Sequence, residues 1–167
     1  PYHVAFQGAT NTITQGADFF NTGGVTLGGA GDATLLAHAG TFSFSGPVTA
    51  AGNASIVASG GDVQLNDSLE LFGDTLIQAD GTIAFQGLVV SQNGLLANLT
   101  LSAQADIEFY GVVGAGPDGA LGTLTIIEAA NVNVRSTVRA AGWVQLAGWG
   151  TTTLAGNVST FGMAGVE

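Results

Sequence analysis

The chain has no cysteine and no lysine, and only three prolines, one methionine and two arginines, Arg135 and Arg139, in 167 residues. Without cysteine there can be no disulfide, no thiolate metal site and no thiol nucleophile. The shortage of cations leaves almost nothing to neutralise a phosphate backbone or an anionic lipid surface, which argues against nucleic acid as a partner. No apolar run approaches the roughly 18 residues that cross a bilayer as a helix, so an integral membrane protein is not expected. With its only methionine at Met163 and Pro1 in front, the chain reads as a processed product or an excised piece whose targeting segment has been removed.

Twelve carboxylates against two arginines set the net charge at −10, yet charged residues make up 8% of the chain where about 25% is usual. The hydrophobic share of 46% is enough for a core and excludes a disordered tail, and the 27 glycines follow no collagen period.

An apolar-x-apolar pair, usually followed by x-Gly, recurs along the whole chain. It appears at Val4-Ala5-Phe6, Val25-Thr26-Leu27, Phe42-Ser43-Phe44, Val63-Gln64-Leu65, Ile83-Ala84-Phe85, Ile107-Glu108-Phe109, Val132-Asn133-Val134 and Thr152-Thr153-Leu154. Successive intervals are 21, 17, 21, 20, 24, 25 and 20 residues. Further alternating pairs lie between, such as Ala54 with Ile56, Leu99 with Leu101, and Val144 with Leu146. Alternation with period two predicts strands, and nothing carries a helical stripe with caps. Three short strands per unit cannot bury their inward faces alone, so the units must stack in parallel. The expected fold is a single all-β domain over 1–167, a single-stranded parallel β-helix (β-solenoid) of seven to eight coils. One inward ladder is expected to contain Phe6, Leu27, Phe44, Leu65, Phe85, Phe109, Val134 and Leu154. The glycines at 8, 28, 46, 87, 111 and 156 are expected at corners, through positive φ or a missing Cβ. A projecting loop is expected at 114–122, around Gly114-Ala115-Gly116-Pro117-Asp118-Gly119.

The stretches Gly46 to Ile56, Leu76 to Ile83 and Asn98 to Ala103 resemble the repeat regions of filamentous-haemagglutinin-like bacterial exoproteins. That resemblance spans nearly the whole chain and implies a secreted, right-handed β-helix acting as stalk, adhesin segment or fibre. The Asn-Pro-Asn-Gly or Asn-Pro-Asn-Leu signature of the family's secretion domain is absent, which implies shaft.

Chemistry has few footholds. A polysaccharide lyase needs cations to hold uronate carboxylates, and Arg135 and Arg139 read more simply as solvated charges. Asp62, Asp67, Asp74 and Asp80 crowd one region as glycosidase carboxylates could, but they sit beside turn glycines, where Asp supplies turn hydrogen bonds. Gly28-Gly29-Ala30-Gly31-Asp32 echoes a calcium-binding β-roll nonapeptide once, with its Asp misplaced. His3 and His38 stand alone. Threonine triplets at 10–12, 12–14 and 151–153 suggest an ice-binding array. The in-register outward set Thr26, Ser43, Gln64, Ala84, Glu108, Asn133 and Thr153 is too mixed to form one. No cofactor or metal is expected.

If Val144 and Leu146 point inward, Trp143 and Trp149 point outward as an exposed aromatic patch for protein or sugar. The leading expectation is a non-catalytic extracellular shaft or self-assembling fibre subunit, partnered end to end by copies of itself or adjoining repeats. The alternative is an adhesin or carbohydrate-binding module that meets a host or matrix surface through Trp143, Trp149 and the 114–119 loop.

Overall fold

The computed structural model describes residues 1–29 and 31–166, with the backbone alone for 163–166. Each of the first five coils contributes one strand to each of three walls. Coil one holds β1 (Val4–Phe6), β2 (Thr10–Ile13) and β3 (Ala17–Phe19); coil two holds β4 (Val25–Leu27), β5 (Ala33–Ala37) and β6 (Phe42–Phe44). Coil three is β7 (Val48–Ala50), β8 (Ala54–Ala58) and β9 (Val63–Leu65), and coil four is β10 (Leu69–Leu71), β11 (Thr75–Ala79) and β12 (Ile83–Phe85). Coil five is β13 (Val89–Ser91), β14 (Leu99–Ala103) and β15 (Ile107–Phe109). The sixth coil touches the first wall only at Val113 before β16 (Leu121–Glu128) and β17 (Val132–Val134). β18 (Val138–Gln145) and β19 (Thr152–Leu154) make the seventh, and β20 (Val158–Val166) follows.

The first wall has the order β1-β4-β7-β10-β13, the second β2-β5-β8-β11-β14-β16-β18-β20, and the third β3-β6-β9-β12-β15-β17-β19. Every pairing is parallel and joins a strand to its counterpart one coil away, as in Phe42↔Val63 and Ile83↔Ile107. This is the expected β-solenoid, of about seven turns. A single 3-10 turn at Gln92–Gly94 is its one helical element among the described residues.

The alternation explains the core. From β4 to β15, almost every strand is buried at odd positions and half-buried at even ones, as in Phe42-Ser43-Phe44 and Leu99 to Ala103. The buried set runs continuously from Val25 to Trp143.

The inward ladder proves to be two ladders on different walls. Phe6 pairs with Leu27 on the first wall, and that column continues through Ala50 and Leu71 to Ser91. Phe44 belongs to the third wall, whose column runs Phe19, Phe44, Leu65, Phe85, Phe109, Val134 and Leu154. The 17-residue interval between Val25 and Phe42 is the jump between walls. Leu154, at the end of its column, is 45% exposed rather than buried.

The loop is also shorter than expected: β16 begins at Leu121, so the irregular segment is 114–120. Of the expected corner glycines, only Gly28 has a positive φ, at 84°. Gly111 serves through its missing Cβ, because a Cβ there would run into the Gly87 carbonyl one coil below.

Candidate functional surfaces

The two tryptophans do not share a surface. Trp143 is 2% exposed and pairs with Leu124 on the second wall, while Val144, in register with Thr125, is half-buried. The expected alternation is therefore inverted there. β18 starts on the first wall at Val138 and carries on into the second, and Gly142 and Trp143 are both buried as it passes between them. Leu146, expected inside, is 67% exposed. Trp149 is 62% exposed, between β18 and β19. The 114–120 loop lies between the first and second walls, across the second wall from Trp149, so loop and tryptophan form no common patch.

Both arginines are engaged. Arg135 Nη2 meets Glu108 Oε2 at 3.3 Å and its guanidinium lies 4.7 Å from the Tyr110 ring centroid. Glu108, by hydrogen bonding to the neutral phenol, raises the Tyr110 pKa above the ordinary tyrosine value; some desolvation and repulsion of the phenolate by Glu108 add to this, and Arg135 opposes it. Arg139 Nη1 donates to the carbonyls of Gly116 (2.7 Å) and Pro117 (3.1 Å), and so ties down the loop.

The crowded carboxylates act as corner ties between coils. At the corner between first and second walls, Asp74 N–H donates to Asn53 Oδ1 (3.1 Å). Asn98 N–H donates in turn to Asp74 Oδ1 (2.9 Å), and Thr123 N–H to Asn98 Oδ1 (2.7 Å). The corner between second and third walls repeats the device, with Thr82 N–H donating to Asp62 Oδ1 and Asn131 N–H to Asp106 Oδ1. Asp80 accepts from Gly60 N–H, and Asp67 from Ser68 N–H. This tie was visible in the sequence only as Asn, Asp and Thr recurring just before strands.

Asp32 is exposed and Ala30 lies outside the described residues. Among the described residues, no group of three or more His, Cys, Asp or Glu converges as a metal site. His3 Nε2 is 2.9 Å from Thr26 Oγ1, and His38 is exposed. No helix among the described residues is long and apolar enough to cross a membrane.

Two grooves remain. One, of about 540 Å³, lies between the loop and the end of β13, against Leu88, Val90 and Asn93. The other, of about 600 Å³, runs along the second wall beside the Asn53, Asp74, Asn98 and Thr123 row. No family model matches the chain, and neither does any curated protein or solved structure.

Proposed function

We propose that the chain is a non-catalytic extracellular structural module, a β-solenoid shaft or fibre subunit extended end to end by further coils of the same kind. The observation that carries this reading is the loss of burial along the third-wall column. Phe44 and Phe109 are fully buried in the middle, while Phe19 is half-buried at one end and Leu154 is 45% exposed at the other. A further coil stacked on either end, from an adjoining repeat or a second copy, would bury these side chains and pair the open strand edges. Asp62, Asp74, Asp80 and Asp106 and both arginines are engaged in bonds to neighbouring coils.

The test is sedimentation of the purified chain over a wide concentration range together with electron microscopy. Association into rods that lengthen with concentration, each added copy contributing about seven coils spaced about 4.8 Å apart, is the expected result. It should be lost in Leu154→Asp, which puts a charge in the end-to-end contact. Monomers at every concentration, or association unchanged in the variant, would overturn the reading.

A further inference from the structure

The second wall is the widest of the three, and its four middle strands carry no charge; beyond them Glu128 of β16 lies in register with Ser102, and Arg139 is on β18. β5, β8, β11 and β14 are five residues long, against three for their counterparts on the other walls, so each presents two outward positions. These are Thr34 and Leu36, Ser55 and Val57, Leu76 and Gln78, and Thr100 and Ser102, none of them charged. The other walls carry Asp18, Glu70 and Glu108 outward.

The 600 Å³ groove lies between the corner row and the first outward column of this wall. One side is Asn53, Asp74, Asn98 and Thr123, and the other is Leu76, Thr100 and Thr125. Both rows run along the solenoid axis, with one set of groups per coil. The corner side chains are held in place, because Asn53, Asp74 and Asn98 each give an oxygen to the amide of the next coil. Among the described hydrogen bonds, none uses Asn53 Nδ2 or the hydroxyls of Thr100, Thr123 and Thr125. Preoriented amide and hydroxyl groups beside an apolar side chain are the equipment for binding a polyhydroxylated ligand.

We infer that this groove binds an extended, uncharged oligosaccharide laid parallel to the axis, about one sugar per coil. The coil spacing of about 4.8 Å is close to the rise of one pyranose unit in an extended β-linked chain. Hydroxyls of the sugar would exchange hydrogen bonds with Asn53, Thr100, Thr123 and Thr125, and Leu76 would meet the C–H face of a ring. Asp74, within a chain of net charge −10, repels uronates and sulfated sugars. The same charge disfavours a second copy on this wall, since Asp62, Asp74, Asp80 and Asp106 would face their equivalents along its borders. The assignment is independent of whether the chain is shaft or fibre.

The test is titration of the isotope-labelled chain with cellohexaose and chitohexaose, followed by amide chemical shifts, with an oligogalacturonate as charged control. Expected are shifts confined to 74–77, 98–101 and 123–126 with one of the neutral sugars and none with the oligogalacturonate. Thr100→Val with Thr125→Val keeps β-branched residues on the strands, and loss of these hydrogen bonds should weaken binding roughly tenfold. Trp149→Ala should bind as before. An unchanged spectrum with both neutral sugars, shifts centred on Trp149, equal binding of the oligogalacturonate, or a double valine variant that binds normally would each overturn the assignment.

Discussion

Phe85 and Phe109, one coil apart on the third wall, stack face to face with ring centroids 5.0 Å apart and planes 4° from parallel. Phe19 and Phe44 repeat the arrangement three coils earlier, at 5.0 Å and 5°. In-register parallel pairing places like side chains over one another, so the ladder imposes the stack.

Phe109→Ala should lower stability by about 3–5 kcal/mol, because a fully buried ring is replaced by a cavity and a stacked pair is lost. Phe85→Asp should leave the chain unfolded, with a charge buried among Leu65 and Phe109. Thermal unfolding followed by circular dichroism checks both; a folded Phe85→Asp chain of near-normal stability would contradict the core assignment.

Gly111→Ala should be costly and Gly29→Ala nearly neutral. A Cβ at 111 would meet the Gly87 carbonyl, whereas nothing lies within 4 Å of one at Gly29. Chemical denaturation of the two variants separates a close approach between coils from the general flexibility of glycine.

The tryptophans should report opposite environments. Trp143→Ala should cost about 3–5 kcal/mol and remove the blue-shifted part of the fluorescence, since its ring is buried against the Leu124 coil. Trp149→Ala should leave stability nearly unchanged and remove the part that iodide or acrylamide quenches. Equal quenching of both rings would contradict the inverted alternation.

Tyr110 should ionise above the ordinary phenol range, and Glu108→Gln should bring it down, because the Glu108 carboxylate favours the neutral phenol. The folded pKa is the raised one, so the linked stabilisation is complete below the pKa of an unfolded tyrosine. It is lost as pH climbs through the folded value. Ultraviolet titration of the phenolate, with alkaline unfolding of wild type and variant in parallel, measures both effects. A Tyr110 titration that Glu108→Gln leaves in place would remove the assigned cause.

Sequence alone determined the strands and their stacking, because period-two alternation and a recurring spacing are local properties written residue by residue. Phe42-Ser43-Phe44 and Ile107-Glu108-Phe109 could bury alternate residues only as strands, and units so short had to stack. Which wall a strand joins was decided by the tertiary structure. Val4-Ala5-Phe6 and Phe42-Ser43-Phe44 share one grammar, yet the corners between them deliver the first to one wall and the second to another. The direction of Trp143 was likewise decided in three dimensions, since alternation persists only while the strand stays on one wall and β18 crosses a corner. The groove beside Asn53, Asp74, Asn98 and Thr123 had no signal in any single coil. It exists because residues 21 to 25 positions apart are stacked in one row by backbone pairing between coils.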